Sequence, residues 1–195
     1  MGFQANRKFV ICLLGIILGA VTPLLAADAP VRVSLETNKG NILLEIDTQA
    51  APATAANFIE YVNAGFYDQT VFHRVIPNFM IQGGGLNTDL AKKPTRKPIA
   101  NEAANGLKNL RGTIAMARTM DHDSATAQFF INTVDNQFLD HRDKTPAGWG
   151  YCVFGRVVEG MDVVDTIAKM PTAIKKGRKD VPVDPIIIEK AVVVK

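Results

Sequence analysis

Residues 72–84 read FHRVIPNFMIQGG, and a single arginine, Arg74, sits there among Val71, Phe72, Val75, Ile76, Phe79, Met80 and Ile81. A guanidinium keeps its charge, so an apolar setting is costly for it unless its hydrogen bonds are accepted. Gln82 can donate and accept. Met80 and Gln82, two apart, share a face of an extended strand. The stretch reads as the wall of an apolar cleft with a few directed polar groups, the usual make-up of a small binding site. On these residues alone the alternative is a core strand whose arginine stem lies over apolar surface and carries its head to water.

A second stretch, residues 112–132, GTIAMARTMDHDSATAQFFIN, favours the cleft. Together the two stretches resemble the cyclophilin family of peptidyl-prolyl isomerases, in particular the periplasmic cyclophilins of Gram-negative bacteria. The likeness continues through Phe138-Leu139-Asp140, residues 153–157 (VFGRV) and Glu159-Gly160-Met161, covering the chain from about Val31 to its end. It implies a mainly β fold: a closed eight-stranded antiparallel β-barrel capped by two α-helices, with the cleft on the barrel's outer face. It also implies peptidyl-prolyl cis-trans isomerase activity with no cofactor, no metal and no covalent intermediate. The partners would be proline-containing polypeptides and unfolded exported proteins.

Such a catalyst must stabilise a twisted amide more than a planar one. In the twisted state the prolyl nitrogen regains a lone pair, and Arg74 is the residue placed to donate to it. By the resemblance, Phe79, Met80, Phe130 and Leu139 hold the proline ring, and Gln82 bonds a substrate carbonyl. Ala117 and the backbone of Arg118 form the strand edge on which the peptide lies, and Gln128 is a neighbouring polar wall. Gln128 and Phe130 are two apart and share a strand face, while Phe129 reads equally as barrel core.

Three positions depart from the best-known eukaryotic pattern. Phe138 replaces a tryptophan, which removes an indole N–H and implies weaker cyclosporin binding while keeping an aromatic wall. Tyr151 replaces a histidine and still offers a ring and a hydroxyl. Arg118 replaces an asparagine whose main chain does the binding. The stretch 141–150, HRDKTPAGWG, is longer than its eukaryotic counterpart, and its Trp149 reads either as a cleft rim or as a loop anchor.

The remaining pattern is that of short strands and two helices. Val31, Val33 and Leu35 alternate with polar residues, 38–41 supplies turn residues, and Ile42, Leu44 and Ile46 alternate again, as in a hairpin. Pro52 opens a helix whose Ala55, Phe58, Ile59, Val62 and Phe66 repeat at three and four. Residues 86–109 read as a loop, and 83–85, GGG, as a flexible turn. Strands are expected over about 112–118, 128–134, 151–157 and 186–194. A second helix is expected from Met161, ended by Pro171, with a basic loop over 175–179. Many short strands with two helices suggest a barrel with helical plugs.

At the N-terminus, Arg7 and Lys8 precede an uncharged run from Phe9 to Ala27, the pattern of a secretory signal peptide cleaved near Asp28. The expected organisation is a signal segment over 1–27 and one isomerase domain over 30–195, located in the periplasm. An uncleaved inner-membrane anchor is the alternative. Of 22 basic and 19 acidic residues, cleavage removes only Arg7 and Lys8, leaving a nearly neutral domain with no nucleic-acid surface. Cys12 leaves with the signal, so Cys152 remains a lone buried thiol with nothing nearby to activate it. Asp121-His122-Asp123 lacks a second ligand cluster for a metal. His73 is expected to face away from Phe72 and Arg74. A monomer is expected. A reading of another class, a chaperone or scaffold that binds proline-containing segments without catalysis, stays open beside the isomerase.

Overall fold

The computed structural model describes residues 30–194, apart from Met1 and Gly2, so the signal segment read over 1–27 lies outside the described domain. Val31–Thr37 (β1) and Gly40–Ile46 (β2) form the expected hairpin, turning Val33, Leu35, Ile42, Leu44 and Ile46 into the core. Its turn ends at Gly40, φ +123°, where a Cβ would meet Val163 Cγ2 at 2.8 Å. Only glycine lets the turn and the second helix approach this closely.

Pro52 opens α1 (Pro52–Asn63), which buries Ala55, Phe58, Tyr61 and Val62. No side chain within α1 caps its first amides. The Glu102 carboxylate does so from the long loop, accepting from Ala53 N at 3.1 Å, Thr54 N at 2.8 Å and Thr54 Oγ1 at 2.7 Å. An anion there answers both the orphan N–H groups and the helix dipole. The second helix, α2 (Met161–Ala168), buries Val164, Ile167 and Ala168 and ends before Pro171. Arg111 ties α2 to the sheet by a forked pair of bonds to Asp165, 2.8 and 2.7 Å.

The other strands are β3 (Thr70–Val71), β4 (Arg74–Ile76), β5 (Met80–Gly83), β6 (Thr113–Met116), β7 (Phe129–Asn132), β8 (Val153–Glu159), β9 (Thr172–Lys175), β10 (Arg178–Pro182) and β11 (Ile187–Val194). Nine of the eleven described strands, β1 and β2 among them, make one antiparallel sheet in the order β3-β11-β1-β2-β8-β6-β7-β5-β4. The sheet is strongly curled but open: no ladder joins β3 to β4 among the described residues, which departs from the closed eight-stranded barrel expected. The reason is local. Phe72 and His73, between the two end strands, leave the pleat, and Phe72 N donates to Ile186 O at 2.9 Å.

The expected basic loop over 175–179 is instead a second, two-stranded sheet, β9–β10. Lys176 (φ 48°) and Gly177 (φ 74°) both take the left-handed conformation that a two-residue hairpin needs. Charged residues along the hairpin hide the alternation that would announce strands.

Inside the curl, Phe58 packs against Tyr67, Phe129 and Phe154, with ring centroids 5.2, 5.6 and 5.1 Å apart. α1 packs on β11, and α2 on β2, β4 and β5. A smaller apolar cluster on the outer face holds Met80, Ala115, Phe130, Leu139 and Val153. The two-residue period sends Phe129 inward and Phe130 outward. No described helix is long and apolar enough to cross a membrane.

Candidate active site

Strand register assembles the site. Arg74 lies opposite Gln82 across β4–β5, Gln82 opposite Phe130 across β5–β7, and Phe130 opposite Ala115 across β7–β6. Directly paired residues on a sheet face touch, so one row carries a cation, an amide and an aromatic wall side by side. Arg74 Nη1 reaches Gln82 Oε1 at 3.4 Å, and Gln82 Nε2 donates to Gln128 Oε1 at 3.1 Å.

A cavity of about 580 Å³ opens over this row. It is lined by Arg74, Phe79, Met80, Gln82, Ala117, Arg118, Gln128, Phe130, Leu139 and Tyr151, so every candidate residue except Phe138 faces it. Phe138 stands at its edge, 67% exposed and stacked on Phe79 with centroids 5.5 Å apart. Tyr151 meets Phe130 edge-on at 5.6 Å. The Arg118 guanidinium lies 4.6 Å from the centre of the Tyr151 ring and donates through Nε to Gly150 O at 2.9 Å. Ala117 N is already bonded to Gln128 O at 2.9 Å.

Residues 83–85 are packed, not loose. A Cβ on Gly84 would sit 2.6 Å from Phe129 Cε1, and one on Gly85 2.3 Å from Gln128 Cγ. The glycines let the backbone come close enough to hold Gln128 beside Gln82.

Arg74 is not in dry surroundings: its side chain is 42% exposed, with Asp180 Oδ2 3.7 Å from its Nε. Asp180 belongs to β10, as do Arg178 and Lys179, and with Gly177 these residues form a further wall of the cavity. Sequence reasoning missed this wall because it missed the hairpin. The only signal for it was a glycine among charged residues, with Val181 and Pro182 behind it.

His73 does not face away from Arg74. Phe72 enters the core, while His73, off the regular pleat, lines the same cavity as Arg74. Burial, with the nearby Arg178 charge second, lowers its pKa to about 4, and Nδ1 has no hydrogen-bond partner. It is therefore neutral near pH 7.

Other sequence candidates have structural roles. Cys152 is buried, 3.5 Å from Thr54 Oγ1, and burial raises its pKa to about 11. Ser124 Oγ donates to Asp121 O at 2.6 Å and accepts from Thr119 N at 2.9 Å, closing a turn. His122 packs against Trp149 with ring centroids 4.1 Å apart and the planes tilted by 32°, and His141 Nδ1 lies 2.8 Å from Trp149 O. Trp149 is thus a loop anchor and does not line the cavity. Among the described residues no group of three or more His, Cys, Asp or Glu is arranged to hold a metal ion.

Residues 32–193 match the model of the cyclophilin type peptidyl-prolyl cis-trans isomerase family. A peptidyl-prolyl cis-trans isomerase of Streptomyces antibioticus is 58% identical over 82% of this chain and 96% of its own. Peptidyl-prolyl cis-trans isomerase A of Dickeya dadantii is 52% identical, over 91% of this chain and 92% of its own. Among solved structures, a Cryptosporidium parvum cyclophilin-type isomerase, crystallised in the presence of the dipeptide Ala-Pro, superposes with a TM-score of 0.69. It is 25% identical and covers 84% of this chain and 99% of its own.

Proposed function

The chain belongs to the cyclophilin family of peptidyl-prolyl cis-trans isomerases, and from that membership we propose that it accelerates rotation about Xaa–Pro bonds through Arg74. The uncatalysed barrier is roughly 18–20 kcal/mol because the amide C–N bond is partly double, and exchange takes tens to hundreds of seconds. No bond need break. A donor aimed at the prolyl nitrogen gains strength only as that nitrogen becomes pyramidal, so it lowers the barrier without holding the ground state.

Phe79, Met80, Phe130 and Leu139 enclose the proline ring, and Phe138 and Tyr151 extend the wall. Gln82 bonds a substrate carbonyl and steadies Arg74, with Gln128 behind it. Ala117 and the Arg118 backbone support the peptide. A bound peptide covers the half-exposed guanidinium, and a charge shielded from water acts more strongly. The single observation that carries this reading is the cross-strand row Arg74, Gln82, Phe130 over one cavity.

Residues 30–195 are the isomerase domain and act as a monomer, and 1–27 is a signal segment removed on export. The enzyme works in the periplasm on exported proteins as they fold. Taking 70–76 as one bent strand, paired with β11 at one end and β5 at the other, counts eight strands and closes the barrel. The test of function is NMR exchange on a short Ala-Pro peptide. Accelerated cis–trans exchange is expected, and its absence would leave a proline-binding module without catalysis.

A further inference from the structure

The wall supplied by β9–β10 changes the charge of the cleft. The cavity lining carries Arg74, Arg118, Arg178 and Lys179 against one carboxylate, Asp180. That carboxylate lies beside Arg74. Among the described residues, no carboxylate comes within 4.0 Å of Arg118, Arg178 or Lys179. Beyond residue 27 the chain is nearly balanced in charge, so the excess is local to the cleft. A concave wall of one sign over a low-dielectric floor focuses its field into the cavity.

The protein itself supplies an example of what this field holds. Asp180 adopts φ 61°, a left-handed conformation uncommon outside glycine and most tolerated by Asn and Asp. It thereby places a carboxylate 3.7 Å from Arg74 Nε, within the cavity wall. One carboxylate leaves most of the positive charge unanswered.

We propose that Arg178 and Lys179, on the hairpin wall, form a subsite for an acidic side chain next to the proline of a bound peptide, so that the cleft favours Xaa–Pro segments carrying Asp or Glu. This rests on the isomerase reading for its substrate. A guanidinium and an ammonium suit the task differently: Arg178 offers a planar fork for a carboxylate, and Lys179 a mobile point charge.

The test uses peptides identical except for Glu, Gln or Lys on either side of one proline. Affinity is read by chemical-shift titration and exchange on the same samples. Wild type is expected to bind the Glu peptide about fivefold more tightly than the Lys peptide at low salt, the yield of two or three exposed ion pairs. The ratio is expected to approach one at about 1 M salt, where charges a few ångströms apart are screened. Reversing the wall with Arg178→Glu and Lys179→Glu should invert the order, and Asp180→Asn, which keeps the tolerated backbone conformation, should widen it. Arg178→Gln guards against misfolding of the reversed variant and should halve the effect or more. An affinity ratio unchanged in these variants, or indifferent to salt, overturns the subsite. Exchange on the Gln peptide decides the isomerase reading separately, so the two failures are distinguishable.

Discussion

The Arg74 guanidinium and the Gln82 side chain face each other across the β4–β5 pair, Nη1 donating to Oε1 at 3.4 Å. The bond is long, and Gln82 is itself held more firmly by Gln128, at 3.1 Å. Arg74 is therefore steered by a relay of two amides, with its Nε edge toward Asp180.

Gln82→Ala should lower kcat/KM about tenfold, the worth of one hydrogen bond to a charged group, about 1.4 kcal/mol. Gln128→Ala should cost less, since it acts through Gln82. In a double-mutant cycle the two effects should fall short of additive by at least about 0.5 kcal/mol. Additive losses would dissolve the relay.

Phe138 is two-thirds exposed and stacks on Phe79, a residue of the cavity lining. Phe138→Trp should leave stability within about 0.5 kcal/mol of wild type. The restored indole N–H should tighten cyclosporin binding about tenfold, read by titration calorimetry. Unchanged affinity would mean that the ring, not the N–H, limits binding.

His73 gives stability a pH dependence. Its folded pKa, about 4, lies below the ordinary value of 6.5, so the unfolded chain binds the proton more readily. The contribution is complete above pH 6.5 and is lost as pH falls toward 4, on the order of 3 kcal/mol in all. Urea midpoints measured from pH 7 to 4 should fall, and His73→Leu should flatten that slope. An equal slope in the variant would assign the pH dependence to other groups.

The site was more legible in the sequence than its surroundings, for a physical reason. Strand alternation alone pairs Met80 with Gln82, and Gln128 with Phe130, on common faces, and the register of β5 against β7 then joins the two pairs. Arg74 was legible as an anomaly, but its exposure was not, because burial depends on what packs opposite. That neighbour is the β9–β10 hairpin, whose strands are short and charged and are held by a turn of two left-handed residues. Residues 72–73 misled in another way: alternation counted through them puts Arg74 on the side of Phe72, whereas Phe72 enters the core and Arg74 joins His73 at the cavity, since the pleat stops there.

Glu102, remote in sequence from α1, caps it with three hydrogen bonds. Glu102→Ala should cost about 1–2 kcal/mol in denaturant unfolding, as loss of a good N-terminal cap does. The exchange rate per folded molecule should hold. A stability loss near zero would show that solvent satisfies these amides as well.

Arg74 carries the proposed chemistry, so the most direct test is NMR exchange on an Ala-Pro peptide with wild type and Arg74→Ala side by side, both checked by circular dichroism. Arg74→Ala should retain the fold and bind the peptide but lose at least about a hundredfold in exchange rate, roughly 2.7 kcal/mol of transition-state stabilisation. A folded Arg74→Ala that exchanges the peptide as fast as wild type would remove the guanidinium from the mechanism.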